Sequence, residues 1–234
     1  MSRQIKIKCY TNGVNILERR INMDKNIVFP ENFWWGAATS GPQTEGSTDK
    51  IHENVMDYWY KKSPEVFFNQ VGPGVASDFY HHYQEDFERM TQIGFNSFRT
   101  SIQWSRLIKD FETGEADERA VEFYRNVIQE AKAYGITLVL NLHHFDMPID
   151  LLKKYGGWES KYVVDLFVKF ARTCFELFGD VVEYWTTFNE PMVIPEAGYL
   201  YAFHYPNKKY YGKQLNTTKV KENLNYISTI QDKL

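Results

Sequence analysis

The stretch EYWTTFNEP, residues Glu183–Pro191, predicts a strand that ends abruptly beside a carboxyl group. Its aromatic and β-branched residues favour a buried, pleated strand, and the closing proline has no backbone N–H for a central ladder, so the strand should end near Asn189 and Glu190. In parallel barrels, catalytic groups lie at the carboxyl ends of strands. Poor hydration beside Trp185 and Phe188 would favour a protonated carboxyl, as a general acid requires. The alternative is that Glu190 only caps the following turn.

Upstream of this stretch, three amphipathic helices are each predicted to end at a glycine and to lead into a strand. The expected helix starts are Ser77 or Asp78, Asp117 and Ser160, and the glycines that end the helices are Gly94, Gly135 and Gly179. The expected strands are Phe33–Ala38, Asn96–Ile102, Ile136–Leu142 and Glu183–Phe188. Strands that alternate with helices and are almost continuously apolar favour a parallel sheet covered by helices, as a barrel or as a doubly wound sheet.

Four such strands are counted, whereas a complete (β/α)8 barrel has eight in about 250 residues. We therefore predict an α/β fold of the (β/α)8 TIM-barrel class, truncated to about the first four βα units. Residues 1–22 are interpreted as a polar, dispensable leader, residues 23–206 as the amino-terminal half of the barrel, and residues 207–234 as a divergent polar tail with one weak helix near its end.

Composition narrows the classes of partner. The chain has 27 basic and 30 acidic residues and a net charge of −3, too weak a field to favour nucleic acid or an anionic membrane. It has no long apolar run and no apolar segment of the signal-peptide type near Met1. Cys174 lies on an apolar helix face and is predicted to be a buried free thiol, so we expect a reducing, cytoplasmic location.

No metal or cofactor is predicted. His81 and His82 are consecutive on a helix and therefore face different directions, which does not suit a shared metal ion. His143 and His144 alternate on a strand end, so one of the two can face a cleft. Neither pair has the ligand spacing of a zinc site.

Polar groups accompany every predicted strand end. They are Gln43 and Glu45 for the first strand, Arg99 for the second, His143 and His144 for the third, and Asn189 and Glu190 for the fourth. Amide, imidazole and guanidinium groups in a cleft rich in aromatic rings suit a sugar, whose hydroxyls need donors and acceptors and whose C–H faces stack on rings. The four tryptophans nearby could be sugar platforms, although core or loop packing is the commoner role; they are Trp34, Trp35, Trp104 and Trp158.

Five segments resemble glycoside hydrolase family 1. They are FPENFWWGAATS (29–40), QTEG (43–46), SFRTSIQWSR (97–106), LHHFDMP (142–148) and TFNEP (187–191). The resemblance implies a (β/α)8 barrel and retaining hydrolysis of β-glycosides. It implies Glu190 as the acid/base, Asn189 as a contact to the sugar 2-hydroxyl, and Gln43 and His144 as groups that bind the glycone.

The same resemblance gives Arg99 a supporting role, because it matches the arginine that holds the family's nucleophilic carboxylate ionised. Residues 40–46 and 100–104 are similar to bacterial members that act on 6-phosphorylated disaccharides. The phosphate-recognising Ser, Lys and Tyr of those enzymes would lie beyond Leu234. The expected partner is therefore a small β-glycoside or 6-phospho-β-glycoside.

One feature of the family is absent from the sequence. A retaining mechanism needs two carboxyl groups about 5 Å apart, and the family's nucleophile lies in a Glu-Asn-Gly segment. No Glu-Asn-Gly tripeptide occurs in the 234 residues, and Glu45 is not expected to replace it. We therefore expect little or no hydrolysis by this chain alone.

The sequence leaves two alternatives open. The first is a non-catalytic half-barrel that binds sugar weakly at most and self-associates through open sheet edges. The second is an endo-acting cellulase with the same barrel, which would share the Asn-Glu pair but not the segments around Gln43 and His144.

Overall fold

The computed structural model describes residues 6–11, 14–20, 28–201, 203–207, 222, 223 and 225, and it divides into two units, residues 1–34 and 35–234. The first unit contains an antiparallel hairpin of β1 (Lys6–Thr11) and β2 (Val14–Arg20). This hairpin lies within the predicted polar leader. The signal that could have indicated it is Asn12-Gly13, a dipeptide favoured between hairpin strands. The apolar positions of the predicted tail helix lie outside the described residues.

The second unit alternates strands and helices. In chain order it contains β3 (Gly36–Ala38), α1 (Gly41–Thr44), α2 (Val55–Lys62), α3 (Phe79–Gln92), β4 (Ser97–Ser101), α4 (Trp104–Leu107), β5 (Ile108–Asp110), β6 (Glu115–Ala116), α5 (Glu118–Ala133), β7 (Thr137–His143), α6 (Ile149–Tyr155), α7 (Lys161–Phe178) and β8 (Tyr184–Phe188). Short 3₁₀ turns cover Pro64–Val66, Phe68–Gln70 and Gly157–Glu159, and a π-helical segment covers Ile194–Leu200.

A four-stranded parallel sheet in the order β3-β4-β7-β8 forms the centre of this unit. Neighbours in the sheet are also successive βα units along the chain, and one register row joins Ala38, Arg99, Val139 and Tyr184. Because all four strands run in the same direction, their carboxyl ends meet at one edge. The predicted alternation is confirmed, and the main difference is that the first strand is three residues long.

Helix starts follow the predicted capping residues, but with different contacts. The carboxylate of Asp117 accepts two backbone N–H groups of the first turn of α5. Asp78 and Ser160 occupy the same positions before α3 and α7 without a side-chain capping bond. Gly94 and Gly135 have positive φ angles of 88° and 67°, the left-handed conformation that ends a helix.

The core between the sheet and its helices is largely aromatic. Trp104 is 1% exposed, stacks on Phe170 with ring centroids 5.4 Å apart, and meets Phe167 edge-on. Trp158 is buried against Phe167 as well, so both of these tryptophans belong to the core. On α7, Cys174 is a buried free thiol, as predicted, and burial raises its pKa.

The prediction of a buried fourth strand is wrong. Tyr184 is 36% exposed, and the other residues of β8 are half-buried. The reason is position: among the described residues, β8 pairs only with β7 and therefore forms an edge of the sheet. No helix in the described ranges is long and apolar enough to cross a membrane.

Candidate active site

Three of the predicted site residues meet at the carboxyl edge of the sheet. Arg99, on β4, donates a hydrogen bond from Nη1 to Oδ1 of Asn189, 3.1 Å away. The backbone N–H of Asn189 donates to the carbonyl of His143 at 2.9 Å, which fixes the turn that follows β8. Burial lowers the pKa of the Arg99 guanidinium, and the neighbouring Glu190 carboxylate opposes that effect. Arg99 thus lies between an amide and a carboxylate of the same turn.

The predicted aromatic enclosure of Glu190 is not observed. The Glu190 side chain is exposed, and its φ angle of 44° places it in the left-handed region. Trp185 meets Phe175 of α7, and Phe188 packs on His143. Both rings therefore contribute to the helix-covered core rather than to a wall around the carboxyl group.

His144 lies beside this cluster as a neutral imidazole. It is 9% exposed, and burial together with the charge of Arg99 lowers its pKa to about 4. A neutral imidazole offers one donor and one acceptor, which suits a sugar hydroxyl. His143 instead packs on Trp158 and Phe188, and burial lowers its pKa to about 3.

Gln43 lies on α1, the short helix that follows β3. The backbone N–H of Gly41 donates to Oγ of Ser101, 2.9 Å away at the end of β4. The Gln43 side chain is exposed, and its Oε1 accepts a hydrogen bond from Oγ of Ser40 at 2.9 Å. Its amide nitrogen has no hydrogen-bond acceptor among the described residues, so it remains able to bind a ligand oxygen.

Glu45 does not belong to the open site. It is 2% exposed, and its carboxylate accepts from Arg106 Nε at 2.8 Å, Gln103 Nε2 at 2.7 Å and the Tyr124 hydroxyl at 3.1 Å. Burial acts against the charge of Arg106, but the Glu45 carboxylate outweighs it and raises the pKa of Arg106. Arg106 also donates to the carbonyls of Gly46 and Thr48. Sequence reasoning missed this buried ion pair, because no spacing rule pairs residues 61 positions apart.

Asp146 is a second residue that sequence reasoning missed. It is fully buried, its Oδ1 accepts the backbone N–H of His144 at 2.9 Å, and burial raises its pKa to about 7. Its place two residues after His144 in the LHHFDMP segment was the available signal.

The histidines of α3 form only local contacts. His81 Nδ1 lies 2.6 Å from a carboxylate oxygen of Asp78 at the start of the helix. Across the part of the chain that the structure describes, no group of three or more His, Cys, Asp or Glu is arranged to hold a metal ion.

The described βα units bring a guanidinium, an amide, an imidazole and a carboxyl group to one edge of the sheet. This is the edge where α/β barrels carry their active sites, and glycosidases of this class use carboxyl groups there. The family model described as glycosyl hydrolase family 1 matches residues 25–225. The chain belongs to glycosyl hydrolase family 1.

Individual relatives agree with this assignment. The 6-phospho-β-glucosidase GmuD of Bacillus subtilis is 52% identical over 182 residues, which are 77% of this chain and 39% of that protein. The 6-phospho-β-glucosidase AscB of Escherichia coli is 39% identical, over 70% of this chain and 38% of its own length.

Solved structures agree as well. A rice β-glucosidase matches with a TM-score of 0.78 at 30% identity, over 88% of this chain and 46% of the rice chain. Aphid myrosinase matches with a TM-score of 0.74 at 30% identity, over 86% and 42% of the two chains. The predicted family and the (β/α)8 fold class are confirmed, and the chain spans less than half the length of the relatives it matches.

Proposed function

We propose that these residues form the acid/base half of a retaining β-glycosidase site. The observation that carries the proposal is the Arg99–Asn189 hydrogen bond, because it fixes the turn that carries Glu190 at the carboxyl edge of the sheet. Asn189 would contact the 2-hydroxyl of the sugar, and Gln43 and His144 would bind the other glycone hydroxyls.

In the proposed reaction, the Glu190 carboxyl donates its proton to the glycosidic oxygen while the bond from that oxygen to the anomeric carbon breaks. A second carboxylate forms an ester bond to the anomeric carbon. Glu190, now ionised, then takes a proton from water, whose oxygen displaces the ester and restores both groups.

The second carboxylate is proposed to come from a segment outside these 234 residues, since they contain no Glu-Asn-Gly and Glu45 is locked by Arg106. Arg99 would hold that carboxylate ionised, because its guanidinium has five N–H donors and Asn189 occupies one nitrogen. We therefore propose that the chain alone hydrolyses glycosides poorly. We also propose that residues 23–206 form the amino-terminal half of the barrel, which carries the acid/base half of the site.

We further propose that the substrates are 6-phospho-β-glucosides. The support is that GmuD and AscB, both named 6-phospho-β-glucosidases, match the chain over most of its length. A cytoplasmic location is proposed with this substrate, and the buried free thiol of Cys174 fits a reducing compartment.

The test mixes this chain with the carboxyl-terminal part of GmuD, cut where the match to this chain ends, and measures glucose release from cellobiose and its 6-phosphate. Recovered hydrolysis is expected, with the phosphorylated substrate preferred. Glu190→Gln should lower the rate on cellobiose about 100-fold or more, and less on 4-nitrophenyl β-glucoside, whose acidic leaving group hardly needs a proton. Glu183→Gln, at the other end of β8, is the matched control and should change neither rate.

The second candidate function is a non-catalytic half-barrel that self-associates. What favours it is that the outer edges of β3 and β8 pair with no other strand in the described part of the chain. No hydrolysis with the GmuD part, together with a stable dimer in sedimentation, would support this candidate and overturn the first.

A further inference from the structure

The turn after β7, residues 143–149, is held by hydrogen bonds to a neighbouring segment at its carboxyl-terminal end and has a strained backbone at its tip. Its far side is held to the start of α2, where the N–H of Val55 donates to the carbonyl of Met147 and the N–H of Ile149 donates to the carbonyl of Glu53, both at 2.9 Å. At its tip, Phe145 has a φ angle of 64°, which an aromatic residue rarely adopts. Such strain persists only where surrounding contacts maintain it.

One contact that maintains the tip comes from Asp146. Its Oδ1 reaches back over Phe145 and accepts the His144 N–H at 2.9 Å, while its Oδ2 is buried without a hydrogen-bond partner among the described residues. A titratable neighbour is His143, whose Nδ1 is 3.6 Å from Oδ1. Lys50 and Glu45 also act on the Asp146 carboxyl through their charges.

A buried carboxyl with so few partners is costly for stability, which makes a purely structural role a poor explanation. Among the described residues, Asp146 accepts a hydrogen bond from the backbone of His144, and His144 is the group to which the proposed function assigns a sugar contact at this strand end. Loss of the acceptor would leave a buried N–H unpaired or let Phe145 relax, and either change would move the imidazole relative to Arg99.

We infer that Asp146 is a positioning residue, which holds the His144 backbone so that the imidazole stands where the glycone binds. The inference rests on the proposed function, because His144 is assigned to the sugar only there. Asp146 itself need not touch the substrate.

The first experiment measures amide hydrogen exchange of His144 by NMR in the chain alone. Asp146→Asn keeps a carbonyl oxygen as acceptor and should preserve protection. Asp146→Ala, or Asp146→Leu if the alanine variant does not fold, removes the acceptor and should speed exchange of this amide about tenfold or more. Asp150→Ala, an exposed carboxylate on α6, is the control and should leave exchange unchanged. Unchanged protection in the alanine or leucine variant would overturn the inference.

The second experiment measures kcat/KM for cellobiose in the complex with the GmuD part. Asp146→Ala should lower kcat/KM about tenfold and Asp146→Asn much less, and adding Asp146→Ala to His144→Ala should cost almost nothing further. Additive losses would show that Asp146 acts independently of His144 and would overturn the inference. If the wild-type complex is inactive, the proposed function fails, and the exchange experiment alone decides whether Asp146 holds His144.

Discussion

Arg99 and Asn189 are 90 positions apart in the sequence, yet a 3.1 Å hydrogen bond joins their side chains. Arg99 lies on β4 and Asn189 follows β8, with β7 between these strands in the sheet. Two strand spacings are about 9–10 Å, a distance that a long arginine side chain can bridge. The bond therefore ties the second and fourth βα units together across the third, at the edge where chemistry is proposed.

Removing the Arg99 donors should destabilise the chain. Arg99→Met keeps most of the apolar stem but leaves Asn189 Oδ1 without this partner, and we expect a loss of about 1.5 kcal/mol in the free energy of unfolding. Urea denaturation measures the change. The control is Arg89→Met, which removes exposed ion pairs on α3 and should cost less than about 0.5 kcal/mol. Equal losses in the two variants would contradict the importance of the Arg99 bond.

The Glu45–Arg106 pair should be among the most sensitive polar contacts. Glu45→Gln leaves the guanidinium of Arg106 buried without its counter-charge, and we expect a loss of about 3–5 kcal/mol. Glu115→Gln breaks the exposed pair with Lys109 and should cost less than about 1 kcal/mol. Thermal and urea unfolding of the two variants give the comparison, and a mild effect of Glu45→Gln would mean that the pair is hydrated in solution.

Stability should fall as the pH drops below about 6.5. Burial lowers the pKa of His143 to about 3 and of His144 to about 4. As the pH falls below the usual histidine pKa, both side chains are therefore protonated in the unfolded chain while they stay neutral in the folded chain. Each histidine then contributes a slope of about 1.4 kcal/mol per pH unit between its folded and unfolded pKa. Burial raises the pKa of Asp146 to about 7, which favours the folded state at low pH and opposes one histidine between about pH 4 and 7.

This balance is tested by urea unfolding from pH 4.5 to 6.5. His143→Gln should reduce the positive slope of stability against pH, whereas Asp146→Asn should increase it. A wild-type stability that is independent of pH in this window would show that the three groups titrate normally.

The helix caps offer a matched comparison. Asp117→Ala removes a carboxylate that accepts two N–H groups of α5 and should cost about 1 kcal/mol. Ser160→Ala removes a side chain that makes no capping bond to α7 and should change stability by only a few tenths of a kcal/mol. Denaturation midpoints that shift equally would indicate that Ser160 caps its helix in solution.

The two glycines Gly36 and Gly74 should respond differently to alanine. A Cβ on Gly36 would lie 2.1 Å from the backbone oxygen of Ser97 on β4, so Gly36→Ala forces the strands apart and should cost about 1–3 kcal/mol. The corresponding atom on Gly74 would meet only the Ser47 hydroxyl, at 3.9 Å. Thermal unfolding should therefore show a lower midpoint for Gly36→Ala alone.

Local sequence patterns predicted the helices and strands well, but they predicted burial and the contacts between distant residues poorly. Helical spacing and terminal glycines located α3, α5 and α7, because each apolar face and each terminal glycine is encoded within a few residues, although only Gly94 and Gly135 adopt the left-handed conformation. The burial of β8 was overestimated, since a run of aromatic residues has the same pattern in a central strand as in an edge strand. Trp104 and Trp34 look alike in the sequence, yet the first is buried and the second is half-exposed.

The βα alternation, the family and the position of Glu190 at a strand end follow from the order of residues alone, because these features depend on neighbouring residues and on motifs of a few positions. Three contacts become visible only in the folded chain: Glu45 pairs with Arg106, His144 rather than His143 adjoins Arg99, and Asp146 accepts the His144 N–H. Burial and charge pairing act on groups that folding brings together, and no local pattern specifies which distant side chain will be the partner.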